Sequence, residues 1–265
     1  MSPTDPSVDV RAAANELLGM RREQRVEADL PAHLRPPDLE TAYAVQDDVV
    51  AALSGGSRPI GYKVACTSLV AQAALSIDRP LFGRLLAPTT SASGATLETD
   101  RFVHRVVEAE IAFRIGRDVA EIAEGHTHET IADHIDAVIP AIEIVDHRFV
   151  SWAVGALAVA ADNAIHGWWV HGDPVTDWRH LDLSSTSVEV RVDGRTVTTG
   201  SGAAVLGHPL TVMAWLADEL PRFGRSLCAG DLVTTGVTTD VFEAASGETV
   251  TAEFSAIGTV ELRFD

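Results

Sequence analysis

Lys63 is an unusual residue type for this chain. It is the only lysine among 265 residues and stands against nineteen arginines. A guanidinium stays charged at any working pH, whereas a buried ammonium is compact and can act as an acid, a base or a point charge. We therefore take Lys63 as the first candidate for chemistry. The alternative is a surface lysine that survives by chance in an arginine-rich chain.

Two glutamates supply the second candidate. In the segment 106–113, Glu108 and Glu110 alternate with apolar residues. Successive side chains of a β-strand point to opposite faces, so both carboxylates would project from one face, about 7 Å apart. The alternative is that the segment is an edge strand whose two carboxylates are solvated.

Glu143 is a third acidic candidate, because Ile and Val enclose it on both sides within the segment 140–146. Such a run is typical of a buried strand, where an unpaired charge is least tolerated. Carboxylates that meet inside a fold need a shared proton or a bound cation, since burying an uncompensated one costs several kcal/mol. Oxygen ligands select a hard cation, and Mg²⁺ or Mn²⁺ would fit three carboxylates.

The net charge limits the partners of the chain. Thirty-eight acidic residues against twenty basic ones give a formal charge of −18. This field repels nucleic acid and anionic membrane surfaces, so neither is an expected partner. An anionic substrate is also repelled unless a bound cation or a local positive group reverses the field inside the site. A metal ion therefore becomes more plausible if the substrate is an acid.

Several features predict a cytoplasmic protein. Cys66 and Cys228 are the only cysteines, too few for a disulfide framework, and the segment 1–6 lacks the basic and apolar regions of a signal peptide. No run approaches the roughly 18 apolar residues that a membrane-spanning helix needs.

Other catalytic and metal motifs are missing from the sequence. The chain has no Gly-x-Ser-x-Gly elbow, and the segment 200–204 lacks the residues of a phosphate-binding loop. Serine hydrolase and nucleotide-binding functions are therefore not expected. Several histidines lack zinc spacing to a cysteine or to one another, and we interpret each as a core or surface residue: His104, His147, His166, His171 and His208.

The elements that must position these residues change character along the chain. Helical spacing of apolar residues predicts amphipathic helices over 8–25 and 39–53, and a strand then carries Lys63. Beyond residue 100 short strands dominate, with an Asp193-Gly194 hairpin turn and one helix over 209–220. The predicted strands are 105–115, 139–145, 164–171, 186–192, 195–199, 231–235, 249–254 and 258–264.

This change divides the chain into two parts of one integrated domain. Residues 1–90 form an N-terminal helical portion with the lysine-bearing strand, and residues 91–265 form a β-rich, metal-binding catalytic body. The segment 87–99 is the expected looser joint between them.

Motifs spread over almost the whole chain are jointly specific. They are Gly61-Tyr62-Lys63-Val64, Thr67-Ser68, Asp78-Arg79-Pro80-Leu81-Phe82-Gly83-Arg84-Leu85, Val107-Glu108-Ala109-Glu110-Ile111-Ala112-Phe113, Ile142-Glu143-Ile144-Val145-Asp146, Ala161-Asp162-Asn163-Ala164, Gly202-Ala203-Ala204-Val205-Leu206-Gly207-His208-Pro209-Leu210 and Ala229-Gly230-Asp231. Together they resemble the 2-keto-4-pentenoate hydratase and 4-oxalocrotonate decarboxylase group of the fumarylacetoacetate hydrolase superfamily.

The resemblance implies an α+β fold with a mixed β-roll core and an N-terminal helical portion, in a homo-oligomer. It implies that Glu108, Glu110 and Glu143 bind one Mg²⁺ or Mn²⁺, that Lys63 is the active-site lysine, and that Asp78 lies on a loop able to cover the pocket. The residues with an expected role in substrate binding are Val64, Ile111, Asn163 and Gly236.

The function implied by the resemblance is metal-dependent hydration of 2-hydroxypenta-2,4-dienoate (2-keto-4-pentenoate), or of a close analogue. This reaction gives a 4-hydroxy-2-oxo acid in the meta-cleavage catabolism of aromatic or steroid rings. Decarboxylation of 4-oxalocrotonate is the closest alternative. A second cation near Lys63, from Arg79, Arg84, Arg105 or Arg148, would favour it, since that substrate has a second carboxylate.

A non-catalytic subunit is the alternative of another class. Such a subunit would support an active partner and should have lost a metal ligand or the lysine, whereas this chain keeps all four residues. Association with a pathway aldolase or decarboxylase is a further expectation.

Two segments depart from the pattern of the group. Residues 147–161 are largely apolar where relatives usually carry polar residues and an acid. His166, Trp168 and Trp169 follow Asn163-Ala164, where relatives tend to have small or hydroxyl residues. Either these three residues reshape the pocket for a bulkier substrate, or the tryptophans pack in the core.

Overall fold

A computed structural model describes residues 8–151 and 154–265. The helices are α1 (Val10–Glu23), α2 (Leu39–Leu53), α3 (Leu69–Leu75), α4 (His128–Ala132), α5 (Ala156–Ala161) and α6 (Pro209–Glu219). The strands are β1 (Gly61–Ala65), β2 (Leu81–Leu85), β3 (Thr90–Ala92), β4 (Ala95–Leu97), β5 (Val106–Ile115), β6 (Ile135–Val145), β7 (His166–His171), β8 (Ser187–Val192), β9 (Arg195–Ser201), β10 (Leu232–Val237), β11 (Phe242–Glu243), β12 (Thr249–Phe254) and β13 (Gly258–Phe264). Over these described ranges, no helix is long and apolar enough to cross a membrane.

Local sequence rules explain most of these elements. Both N-terminal helices begin after an aspartate, Asp9 or Asp38, whose side chain accepts a hydrogen bond from a backbone N–H of the first turn. Asp193 and Gly194 have φ of 48° and 78°, as a two-residue hairpin turn between β8 and β9 requires. The predicted strands are present with ends that shift by a few residues. The short helices α3, α4 and α5 were not predicted as helices.

The described strands form two mixed sheets. The larger sheet has the order β2-β1-β10-β5-β6-β7-β3, with β11 paired to β5, and the smaller has the order β4-β13-β12-β8-β9. The pairs β1–β10, β3–β7 and β4–β13 are parallel, and the remaining pairs are antiparallel. This arrangement confirms the predicted α+β class with a curled, mixed sheet.

The larger sheet is buried on both of its faces. On β5, four side chains that alternate with the glutamates join the main core: Val107, Ala109, Ile111 and Phe113. The opposite face of the sheet carries Glu108, Glu110 and Ala112. A small apolar cluster lies on that interior face and consists of Leu85, Ala112, Ile139, Ala141 and Trp169. Because side chains alternate along a strand, the carboxylates share their face with this cluster and not with the main core.

The edge strand β2 is joined to the start of β7 by a side chain. The Arg84 N–H donates to Asn163 Oδ1 at 2.7 Å, and Asn163 Nδ2 donates to the Arg84 carbonyl at 3.0 Å. Asn163 therefore imitates one residue of a neighbouring strand. Gly83 permits this approach, because a Cβ there would lie 2.6 Å from the Asn163 carbonyl oxygen.

Strands from both sides of residue 90 share the larger sheet. β1 and β2 belong to the expected N-terminal portion, and β1 pairs with β10 from the β-rich body. The segment expected as a looser joint contributes β3 to the larger sheet and β4 to the smaller one. Strand pairing thus connects the two portions, and their division at residue 90 stays a prediction.

We expect Gly83→Ala to destabilise the protein by about 1–3 kcal/mol, because the new methyl group meets backbone atoms that cannot move aside locally. Gly19→Ala in α1 is the matched control. The nearest atoms to its added Cβ lie 3.9 Å away, which is ordinary contact, so this change should be neutral or stabilising by up to about 1 kcal/mol. Urea unfolding of both variants measures the difference. Equal stability of the two variants would contradict the close approach of the Asn163 carbonyl to Gly83.

Candidate active site

Three carboxylates meet on the interior face of the larger sheet. Glu108 and Glu110 lie on β5, and Glu143 lies on β6 directly opposite Glu108. One oxygen from each of the three lies within 4.8 Å of the other two. Glu110 and Glu143 are fully buried, whereas Glu108 keeps partial exposure. The structure thus brings together the three predicted metal ligands, with Glu108 toward solvent.

Lys63 reaches the same group from β1. Its Nζ lies 3.2 Å from Glu143 Oε2 and donates to the Ala164 carbonyl at 3.0 Å. The residue is only 1% exposed. An ammonium has three N–H bonds, and the Ala164 carbonyl accepts one of them. The ammonium can therefore also serve a ligand bound beside the carboxylates while it stays paired with Glu143.

The buried groups shift one another's pKa values. Burial, followed by the charge of Glu143, raises the pKa of Glu108 to about 7 and the pKa of Glu110 well above its usual range. Burial alone would lower the pKa of Lys63, but the neighbouring carboxylates outweigh it and raise that pKa. Burial would raise the pKa of Glu143, but Lys63 and His166 hold it below its usual value. These shifts show a group with excess negative charge.

Glu110 carries the clearest sign of a missing partner. The Thr234 hydroxyl donates to Oε2, whereas Oε1 is buried with no hydrogen-bond partner among the described residues. A buried acceptor left unpaired is costly. When all are ionised, three carboxylates and one ammonium leave two negative charges, which one divalent cation would balance. The all-oxygen ligands fit Mg²⁺ or Mn²⁺.

The carbonyl that accepts from Lys63 belongs to a strained turn. Residues 163–165 have φ of 53°, 50° and 55°, three consecutive left-handed positions without a glycine. This conformation costs about 1–2 kcal/mol per residue. The strain persists only where surrounding contacts impose it. Here the turn directs the Ala164 carbonyl at the Lys63 ammonium.

Arg21 of α1 holds both ends of this turn. Its Nε pairs with Asp162 Oδ1 at 2.8 Å, and its Nη1 donates to the His166 carbonyl at 3.1 Å. Arg148 binds Asp162 from the other side and lies 2.9 Å from Asp146 Oδ2. Two arginines and two aspartates thus form a buried, charge-balanced network. It connects the N-terminal helix to the segment beside Lys63.

Asp78 and Asn163 have other partners than the carboxylates. The Asp78 side chain is 82% exposed on the loop between α3 and β2, where it pairs with Arg79 at 3.0 Å. Asn163 is fully buried, and its amide binds the backbone of Arg84. The expected roles of Asp78 over the pocket and of Asn163 in substrate binding stay predictions.

The three other residues expected to contact the substrate lie at different places in the larger sheet. Val64 and Ile111 are buried in the main core, on the face of the sheet opposite to the carboxylates. Gly236 lies at an irregularity of β10 with φ of 101°, where an added Cβ would lie 1.8 Å from Thr67 Oγ1. Gly236 is therefore near the Glu110 end of β10, and the two apolar side chains face away. Their roles in binding remain untested predictions.

Sequence reasoning missed two side chains that contact the carboxylates. His166 Nδ1 lies 2.9 Å from Glu143 Oε1, whereas the sequence suggested either a core or surface histidine or a residue that reshapes the pocket, and not a partner of a metal ligand. Thr234 donates to Glu110. A polar residue inside the buried strand β10 was the available signal for Thr234. For His166 the signal is weaker, because the contact depends on a register shift between β6 and β7.

The paired tryptophans point to opposite faces of β7. Trp169 is fully buried in the apolar cluster of the interior face. Trp168 donates its Nε1 to Ser91 Oγ at 3.1 Å and packs edge-on against Phe102, away from the carboxylates. In the other departing segment, Trp152 and Ala153 lie outside the described residues.

Comparisons with known proteins agree with this geometry. Residues 67–265 match the family described as fumarylacetoacetate (FAA) hydrolase C-terminal. The chain is 36% identical over 254 residues to 2-keto-4-pentenoate hydratase 2 of Dechloromonas aromatica (strain RCB), with 96% of each chain covered. It is 31% identical over 210 residues to 4-oxalocrotonate decarboxylase of Pseudomonas putida, which covers 79% of this chain and 78% of that one.

A solved structure extends the likeness to three dimensions. The 4-oxalocrotonate decarboxylase from Pseudomonas putida G7, complexed with magnesium and adipate, has a TM-score of 0.91 and 26% identity over 99% of each chain. Fold and site together define a β-roll protein with a carboxylate site for a cation. The chain belongs to the fumarylacetoacetate hydrolase family, in the group that includes 2-keto-4-pentenoate hydratases and 4-oxalocrotonate decarboxylase. The predicted resemblance is confirmed.

We expect Mn²⁺ to raise the melting temperature of the protein and Glu110→Gln to remove most of that rise. A ligand that binds only the folded state at 100 times its Kd stabilises by about 2.7 kcal/mol. Without metal, the same substitution removes one of three neighbouring buried carboxylates, so stability should be equal or higher.

Calorimetry with Mn²⁺ and with EDTA measures both effects, and Glu121→Gln at an exposed position is the matched control. The control should keep the full response to Mn²⁺. A Glu110→Gln variant that also kept it would contradict the assignment of Glu110 as a ligand.

Proposed function

We propose that this protein is a metal-dependent hydratase. Its substrate is 2-hydroxypenta-2,4-dienoate, the dienol form of 2-keto-4-pentenoate, or a close analogue, and its product is the 4-hydroxy-2-oxo acid of a meta-cleavage pathway for aromatic or steroid rings. The observation that carries the proposal is the meeting of three carboxylates with one buried ammonium on an interior face. The match to a named hydratase over 96% of both chains supports it.

Glu108, Glu110 and Glu143 would hold the divalent cation, either Mg²⁺ or Mn²⁺. When bound, the ion supplies Lewis acidity toward the carboxylate and C2 oxygens of the substrate. The protein contributes fixed ligands, because Glu143 is held by Lys63 and His166, and Glu110 is held by Thr234. The partial exposure of Glu108 leaves a side for the substrate to enter.

In this proposal Lys63 would move a proton or hold the substrate carboxylate. Hydration removes the proton from O2 of the dienol, adds one at C5, and then adds the oxygen of water at C4 and a proton at C3. The Lys63 Nζ lies 3.0 Å from the Ala164 carbonyl oxygen and 3.2 Å from Glu143 Oε2, beside the proposed metal ligands. In this position Lys63 can exchange a proton with the substrate, a role worth about 10²–10⁴ in rate.

Each of the four arginines that could recognise a second substrate carboxylate has another contact, although Arg84 Nε has no hydrogen-bond partner among the described residues. Arg148 pairs with two buried aspartates, and the guanidinium of Arg84 lies 4.4 Å from the ring centre of Tyr62, which packs in the main core. Arg105 donates to a backbone carbonyl at 2.9 Å, and Arg79 pairs with the adjacent aspartate. These contacts favour a substrate with one carboxylate. They therefore favour the hydratase over the decarboxylase.

The chain also retains what a non-catalytic subunit would lose. Lys63 and all three glutamates are present and in contact range of one another. An active enzyme explains their retention better than a supporting role. We further propose a cytoplasmic homo-oligomer, with association to a pathway aldolase or decarboxylase as a separate prediction.

The direct test is turnover of freshly generated 2-hydroxypenta-2,4-dienoate in the presence of Mg²⁺. We expect metal-dependent loss of the dienoate absorbance and a product heavier by one water, with EDTA abolishing the reaction. 4-Oxalocrotonate, tested in parallel, should release CO₂ far more slowly. CO₂ release without hydration of the dienoate would overturn the hydratase proposal in favour of the decarboxylase.

Lys63→Met should impair proton transfer and leave metal binding intact. We expect kcat to fall by about 10²–10⁴ because the methionine has no proton to exchange. The three carboxylates remain, so Mn²⁺ binding should persist. Steady-state kinetics and Mn²⁺ titration measure the two effects independently. Full activity of this variant would remove Lys63 from the mechanism.

A further inference from the structure

The Glu143 carboxylate is held by a nitrogen at each of its oxygens. His166 Nδ1 lies 2.9 Å from Oε1, and Lys63 Nζ lies 3.2 Å from Oε2. Both His166 and Glu143 are almost completely buried. Lys63 contributes to the proposed chemistry, whereas the proposed function above gives His166 no role in the reaction itself. Its contact with a metal ligand is the feature that remains to be explained.

The direction of the histidine bond follows from the chemistry of its partner. An ionised carboxylate can only accept, so the hydrogen of this contact belongs to His166 Nδ1. The other ring nitrogen, Nε2, lies 3.2 Å from Thr89 Oγ1. A hydroxyl can donate or accept, so Thr89 can pair with Nε2 in either protonation state of the ring. The ring is therefore fixed at both nitrogens.

The backbone of His166 is fixed as well. Its carbonyl accepts from Arg21 Nη1 at 3.1 Å, directly after the left-handed turn of residues 163–165. Arg21 also pairs with Asp162 at the other end of that turn. The histidine ring thus has little freedom to follow a moving carboxylate. It therefore restricts the orientation of the Glu143 carboxylate.

We propose that His166 is a positioning residue that orients the Glu143 carboxylate and thereby sets the affinity of the site for a divalent cation. The inference rests on the proposed metal site. A ligand that is already oriented loses less conformational freedom when the ion binds, and partners of this kind are typically worth 10–100-fold in metal affinity. Glu108 and Glu110 have no histidine partner among the described contacts, so the effect belongs to Glu143.

Mn²⁺ titration, followed by the electron paramagnetic resonance signal of the free ion, tests this directly and needs no substrate. His166→Leu removes both ring nitrogens at similar volume, and we expect its Kd for Mn²⁺ to rise by about 10–100-fold. His166→Asn can keep an N–H near the position of Nδ1, so its Kd should stay within a few-fold of wild type. Unchanged Mn²⁺ affinity in a folded His166→Leu variant would overturn the proposal.

His171→Leu is the matched control, because His171 lies on the same strand and bonds to the Gly172 carbonyl. Its Mn²⁺ affinity should equal that of wild type. A purely structural role of His166 would lower the melting temperature of the Leu and Asn variants without separating their affinities, and that result would also overturn the proposal.

A second variant keeps the test decisive if His166→Leu does not fold. Thr89→Val removes the hydroxyl that holds Nε2 and retains the shape of the side chain. We expect a smaller loss of Mn²⁺ affinity than for His166→Leu, and no loss in Thr89→Ser. Equal affinity of the Val and Ser variants would count against the proposal. Absence of Mn²⁺ binding in wild type would instead show that the proposed metal site itself is wrong, and the inference would fall with it.

Discussion

The burial of three carboxylates beside one another is the constraint on which the rest of the site depends. An uncompensated buried carboxylate costs several kcal/mol, and like charges at this distance raise the cost further. Three groups partly compensate these charges: the Lys63 ammonium, the His166 ring and the Thr234 hydroxyl. Glu110 Oε1 still has no partner among the described residues. A divalent cation would complete this set by balancing the two remaining negative charges.

The fold serves this cluster through contacts that are distant in sequence. Arg21 of the N-terminal helix holds both ends of the left-handed turn, and the turn places the Ala164 carbonyl against Lys63. Gly83 leaves the space in which the turn crosses β2. The helical portion is therefore part of the active-site support. Loss of α1 would remove Arg21 and with it the contacts that hold the turn against Lys63.

Local rules accounted for the parts of the site that lie on one strand. Alternation alone places Glu108 and Glu110 on one face. Their meeting with Glu143 and Lys63 depends on strand order, which no local rule gives, and only the family resemblance indicated that the four residues share a site. The same alternation shows why Val64 and Ile111 lie in the main core, since each adjoins a residue that faces the site. The contact of His166 could not be predicted, because it follows a left-handed turn through Ala164 and Ile165 that no propensity favours.

Anomalous diffraction from crystals soaked in Mn²⁺ would show whether the three glutamates bind one cation. We expect one strong anomalous peak per chain, within coordination distance of an oxygen from each of Glu108, Glu110 and Glu143 and with Lys63 beside it. A peak bound elsewhere, or no peak at these carboxylates at saturating Mn²⁺, would contradict it.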